Sequence, residues 1–125
     1  MRKHRNQMKA AEIAALETYM HTVTPAIHID HAAERMQQKN VTTDEIAKAI
    51  RFGKVVEFHN EAAELRVVMR LDFGRPKVAV CAVVEPKTAK VVTTWKNSGS
   101  DNHSTIDMSA YGWKADARQV FGLEA

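Results

Sequence analysis

Residues 41–53 read Val-Thr-Thr-Asp-Glu-Ile-Ala-Lys-Ala-Ile-Arg-Phe-Gly, and residues 54–59 continue Lys-Val-Val-Glu-Phe-His. At Gly53 the hydrophobic period changes from three-and-four to two, and that change decides the fold class. Thr42 stands three residues before Glu45, the arrangement in which a hydroxyl and a carboxylate reciprocally serve the amides of a helix start. Val41 before the cap and Ile46 beyond it are spaced as a hydrophobic staple. Ile46 and Ile50 form a buried stripe, and Gly53 stands where a C-terminal cap belongs. The spacing predicts a helix that stops at Gly53.

Upstream the pattern remains helical. A first helix is expected over Gln7–His21, with Ile13, Leu16 and Met20 as its apolar stripe in an Ala-rich background. Thr24-Pro25 ends it, because the residue before proline is pushed out of the α region. A second, short helix is expected over Asp30–Lys39, with Asp30 as N-cap and Ala32, Ala33 and Met36 inward.

Downstream the pattern becomes strand-like, in four segments: Lys54–His59, Glu64–Phe73, Lys77–Val84 and Lys90–Lys96. The second alternates Leu65, Val67, Met69, Leu71 and Phe73 against Glu64, Arg66, Arg70 and Asp72, with Val68 the apolar exception on the polar side. The third is apolar on both faces, as an internal strand would be. Turns are expected at Asn60-Glu61, Gly74-Arg75-Pro76 and Glu85–Thr88. Connections this short imply an antiparallel meander. The fold class is therefore α+β: about three N-terminal helices packed on a four-stranded antiparallel sheet. Residues 97–102 read as a loop, and Ala115–Phe121 as a short final helix stopped by Gly122.

The chain has 125 residues, 45% hydrophobic and 26% charged, with no repeat or linker that would split it. A single domain of this size hides roughly two-thirds of its unfolded surface. It divides into a basic N-terminal helix (1–27), a core (28–97) and a C-terminal extension (98–125). No apolar run approaches the ~20 residues of a membrane-spanning helix, and the N-terminus lacks the apolar centre of a secretory signal. The lone Cys81 makes no internal disulfide, which fits a reducing, cytoplasmic setting. A net charge of +3 permits nucleic-acid contact without demanding it.

Candidate chemistry falls in two places. His31 and Arg35, four residues apart, project from one helix face, with His28 roughly beside them. A guanidinium keeps a nearby imidazole neutral and able to accept a proton. It also offers a fork for phosphate oxygens. Phosphodiester cleavage without a metal needs that pairing; the structural alternative is a solvated polar face or an arginine bracing the sheet. The second place is the polar face of the sheet, where Glu57 and His59 adjoin Arg66 and Arg70. Ordinary cross-strand ion pairs on a water-facing sheet are the alternative there.

Of Thr93 and Thr94, one hydroxyl must lie among apolar neighbours and find a hydrogen-bond partner; Thr93 is placed with Val91 and Trp95. Trp95 and Trp113 are candidates for base stacking, although Trp95 fits the core. His28, Asp30 and His31 fall short of a metal site, lacking a third ligand at helical spacing and any Cys pair. Cys81 reads as a packing group. Neither a Walker loop nor a dinucleotide fingerprint occurs, so no metal and no cofactor is implied.

The run His31-Ala-Ala-Glu-Arg35-Met, the capped helix ending at Gly53 and the strand ending Val-Val-Thr93-Thr-Trp resemble a group of small bacterial and phage domains. Those domains are similar to the wider ribonuclease superfamily that includes barnase, the EndoU nucleases, tRNA-cutting colicins and RelE-type toxins. The resemblance spans about residues 28–97. It implies RNA cleavage without metal through a 2′,3′-cyclic phosphate, with His31 as general base or acid, Arg35 stabilising the phosphorane and Thr93 positioning a phosphate oxygen. Asn97, just past the strand, joins Arg66, Arg70 and His59 as candidate substrate contacts. The leading reading is an RNA-cleaving toxin or effector domain with RNA as partner and an immunity or host protein as a further candidate. The alternative is a non-catalytic module that binds nucleic acid or a host protein through Arg2, Lys3, Arg5 and Lys9. A third reading is homodimerisation through a sheet edge or the first helix.

Overall fold

In the computed structural model, which describes residues 1–26, 31–61, 64–74, 78–98 and 108–123, the change of period at Gly53 is a change from helix to strand. Helix α3, Thr43–Phe52, starts as the sequence dictates. The Glu45 amide donates to Thr42 Oγ1 at 3.1 Å, and the Glu45 carboxylate accepts the Thr42 amide at 2.9 Å. Burial pushes the Glu45 carboxyl up, but the Thr42 bonds and the Lys96 ammonium hold it below the usual carboxylate range. Val41 and Ile46 are both buried in the core, as a staple requires.

Gly53 ends the helix with its amide on Ala49 O at 3.0 Å. Its φ of −80° is open to any residue, so a left-handed cap is not the reason for glycine here. Crowding is: a Cβ would lie 2.1 Å from Ala49 O and 2.6 Å from Arg70 O.

The sheet has five strands rather than four, in the order β1 (Arg2–His4), β2 (Lys54–Glu61), β3 (Glu64–Asp72), β4 (Val78–Glu85) and β5 (Lys90–Ser98). All neighbours are antiparallel. The additional strand lies where a basic helix was expected. Arg2–His4 pairs with β2 (Lys3 opposite Phe58), a tight turn over Arg5–Gln7 follows, and helix α1 begins only at Ala10 and runs to Met20. His4 enforces the turn: its Nδ1 accepts the Asn6 amide and its own amide donates to Gln7, both at 3.1 Å. Helix α2 covers His31–Lys39 and the last helix, α4, only Ala117–Val120. The Asp30 cap lies outside the described residues, as do Arg75 and Pro76 of the turn expected after Gly74; Asn60 and Glu61, expected as a turn, instead complete β2, paired with Leu65 and Glu64.

One face of the sheet presents Val55, Phe58, Val67, Met69, Val80, Val84 and Val91 to Leu16 and Met20 of α1, Ile46 and Ile50 of α3, and Ala117 of α4. Phe58 anchors the C-terminal segment, its ring centroid 5.2 Å from Trp113 and 5.5 Å from Phe121. The opposite face holds a smaller cluster of Val56, Val68 and Val83 with Val92 and Trp95. Bulges interrupt β2 between Val55 and Glu57 and the β4–β5 pairing at Val83/Val84. The second bulge puts Val91 in the main core, on the face opposite Thr93 and Trp95, and corrects the simple alternation expected for this strand.

Both sheet edges carry backbone from their own chain. The Trp113 amide donates to Arg2 O at 2.9 Å, and Ala26 exchanges bonds with Ala89 O and the Val91 amide. No helix among the described residues is long and apolar enough to cross a membrane. Gly53→Ala is expected to lower unfolding free energy by roughly 3 kcal/mol, measured by urea denaturation. A near-wild-type midpoint would refute the crowding argument.

Candidate functional site

Strand register arranges the second face of the sheet, called the outer face, in rows. One row runs Arg2, His59, Arg66 across β1–β3, and the next His4, Glu57, Val68, Val83, Thr93 across all five strands. Arg70, Cys81 and Trp95 form a third, and Asp72, Ala79 and Asn97 a fourth. The fold therefore brings His59, Arg66, Arg70, Thr93 and Asn97 to one face, with strands about 4.8 Å apart. Helix α2, bearing His31 and Arg35, packs against β5, the strand of Thr93 and Asn97. His31 is the first residue of that helix; its side chain lies outside the described ones.

This face is not bathed in water, as a bare strand alternation suggests. Glu57 and Arg70 are each 2% exposed and His59 4%, whereas Arg35, Arg66, Thr93 and Asn97 are half-buried. His59 and Arg70, named as substrate contacts, are thus covered, whereas Arg66 and Asn97 are partly exposed. Accessibility among the nominated residues is concentrated at α2 and β5, with Arg66 on β3. Asn97 lies within β5 rather than beyond it, its Nδ2 3.9 Å from Cys81 Sγ. The threonine pair resolves cleanly: Thr94 is the buried one and donates from Oγ1 to Cys81 O at 2.7 Å. Thr93 is left on the outer face opposite Val83.

Buried charges on this face need partners. Tyr111 Oη donates to Glu57 Oε1 at 3.0 Å, and Arg2 Nη1 lies 3.4 Å from Glu57 Oε2. The Tyr111 ring meets His4 edge-on at 5.2 Å. Burial and the Glu57 charge push the Tyr111 phenol up to about 12. Arg66 reaches Glu64 at 2.9 Å and Arg70 reaches Asp72 at 3.4 Å, each pair along one strand.

The basic N-terminus is also engaged within the molecule. Arg5 Nη1 is 2.7 Å from Glu17, and the buried Lys3 ammonium donates to Glu12 at 2.7 Å. The exposed basic helix of the alternative reading is thus a paired edge strand and turn, with Lys9 its exposed lysine.

Tyr111, His4 and Glu12 escaped sequence reasoning, and Arg2 entered it only as one of the basic residues of the N-terminus. Nothing periodic marks residues 98–116, and Tyr111 lies 54 positions from Glu57. Glu12 did carry a signal, since it shares a helical stripe with Leu16 and Met20 at intervals of four. Among the described residues no three His, Cys, Asp or Glu side chains converge as metal ligands; His28 and Asp30 lie outside them.

A helix-flanked antiparallel sheet with charged groups inside one face defines an α+β domain with a candidate polar site at the α2–β5 side. Residues 30–96 match the family model described as Domain of unknown function (DUF4258), and the chain belongs to that family. The match contains His31, Arg35, His59, Arg66, Arg70 and Thr93, and stops one residue before Asn97. Neither a curated protein nor a solved structure matches the chain.

Removing the Tyr111 hydroxyl leaves the Glu57 carboxylate short of a donor. Tyr111→Phe is expected to cost about 2 kcal/mol at neutral pH, by denaturant titration. Because the folded phenol holds its proton up to about 12, above the ordinary tyrosine value of about 10, its contribution is present at neutral pH and fades as pH rises through that window. The wild-type protein should therefore lose stability between those values more steeply than Tyr111→Phe. Parallel profiles would remove the linkage.

Proposed function

We propose that this domain cleaves RNA by transphosphorylation at the α2–β5 edge of the sheet, without a metal ion. His31 takes the proton of a ribose 2′-hydroxyl, the 2′-oxygen bonds to phosphorus, and the bond from phosphorus to the 5′-oxygen breaks; that oxygen takes a proton from water, giving a 2′,3′-cyclic phosphate and a 5′-hydroxyl end. Arg35, one helical turn along, neutralises the charge that grows on the phosphorane. Thr93 and Asn97, half-exposed on the facing strand, hydrogen-bond phosphate and ribose oxygens, and Arg66 attracts the strand electrostatically. The buried Arg70 and His59 act through their field and by holding the face together.

The observation that supports this reading is the packing of α2 against β5. The helix whose sequence carries His31 and Arg35 lies along the strand that carries Thr93, with its Met36 against the core side of the sheet. The resemblance of residues 28–97 to small ribonuclease-like domains points the same way, toward a toxin or effector acting on RNA in a cytoplasm. In the alternative reading, a non-catalytic binding module through the N-terminus, Arg2, Lys3 and Arg5 would engage a ligand while paired with Glu57, Glu12 and Glu17.

Purified protein should cleave a mixed-sequence RNA in EDTA and leave cyclic-phosphate ends. His31→Ala should slow cleavage by ~10²-fold or more, and Arg35→Ala by a comparable factor, with folding checked by circular dichroism. Undiminished cleavage in folded His31→Ala, or no cleavage of any RNA, would overturn the proposal.

A further inference from the structure

We infer that the groove beside β1, lined by Lys3, Gln7, Lys9, Tyr111, Trp113 and Lys114, binds a phosphate-bearing anion. It has a volume of about 330 Å³, at the small end of the range for ligand pockets. Its floor is unusual. Lys3 is 5% exposed, and an ammonium carries three N–H donors. Two are taken, by Glu12 Oε1 at 2.7 Å and Ala115 O at 2.9 Å. The third has no acceptor among the described residues.

The carboxylate that lines the groove cannot supply one readily. Glu12 Oε1 also accepts the Ala117 amide at 2.9 Å, and Oε2 accepts the Lys9 amide at 2.7 Å. Burial pushes this carboxyl up, yet the Lys3, Lys9 and Ala117 donors bring it below its ordinary range, so it stays ionised and occupied. Lys9 and Lys114 stand exposed on the rim. Asp116, near Lys9, is tied to Arg118 by bonds of 3.1 and 2.7 Å.

Three ammonium groups against one carboxylate leave a surplus of two positive charges around the groove. That surplus suits a dianionic phosphate, which lysines hold as point charges. The half-buried Trp113 offers an apolar wall for a base or sugar beside it. The groove is separate from the α2–β5 side: β1 and β5 are opposite edges of the five-stranded sheet, about 19 Å apart at the usual strand spacing. The inference therefore does not rest on RNA cleavage.

Such a phosphate belongs either to a free nucleotide or to a nucleic-acid backbone. Calorimetric titration of the full chain at low salt with ADP, and separately with a single-stranded oligodeoxynucleotide, distinguishes the two. The oligodeoxynucleotide has no 2′-hydroxyl, so the proposed cleavage cannot consume it, and failure of that chemistry leaves the binding result standing. At least one probe should bind, and Lys9→Ala/Lys114→Ala should weaken it about tenfold or more. Both lysines are exposed, which keeps the fold intact, unlike a change at the buried Lys3–Glu12 pair. Binding of ADP only assigns a free nucleotide; binding of the oligodeoxynucleotide only assigns backbone phosphates. No binding of either probe, or equal binding by the double variant, would overturn the inference.

Discussion

Glu57 is a carboxylate buried in the outer face of a sheet, and the molecule is organised around keeping it satisfied. Its charge is met by Arg2 from the N-terminal strand and by Tyr111 from the C-terminal segment. Removing one partner of such a buried group is costly, since the remaining charge has no water to turn to. The two ends of the chain are consequently held on the same strand, β2, with Tyr111 on the outer side and Trp113 against Phe58 on the other. Around this grip the β1–β2 half of the outer face is closed. Solvent reaches Arg2 at the β1 edge and Arg66 on β3, and toward α2 and β5 it reaches Arg35, Thr93 and Asn97, where the proposed chemistry is placed.

The family match begins at residue 30 and ends at 96, so it includes neither β1, α1 nor the C-terminal segment. Those flanks nevertheless supply the fifth strand, half of the helical layer and the donors that neutralise Glu57. They also join each other directly, through Lys3, Glu12 and the Ala117 amide. In this protein the matched region is completed by its own flanks, and the groove proposed to hold an anion is formed wholly by them.

Much of the core was legible in the sequence because local rules governed it. The Thr42–Glu45 box, the Ile46–Ile50 stripe and the alternation from Leu65 to Leu71 each involve neighbours within a few residues, and each appears as read. Strand β1 was not legible, because three residues, Arg-Lys-His, carry no period and pair with partners more than fifty positions away. The bulge opposite Val83/Val84 likewise leaves no mark in a run of β-branched residues, yet it decides which side Val91 takes. For the candidate site, alternation placed Arg66 and Arg70 on one face correctly. It gave no sign that His59 and Arg70 would be covered, since burial of an outer face depends on distant segments such as the one bearing Tyr111.

Cys81 gives the most direct test of this account. It is the single cysteine, fully buried, and it lies between Arg70 and Trp95 in the middle of the outer face. Its reaction with an aromatic disulfide reagent, followed in native buffer and in denaturant, reports whether that face is closed. A closed face predicts labelling in native buffer slower by orders of magnitude than in the unfolded chain, at a rate that tracks unfolding. Rapid stoichiometric labelling of the native protein would contradict it, and with it the confinement of the accessible site to α2 and β5.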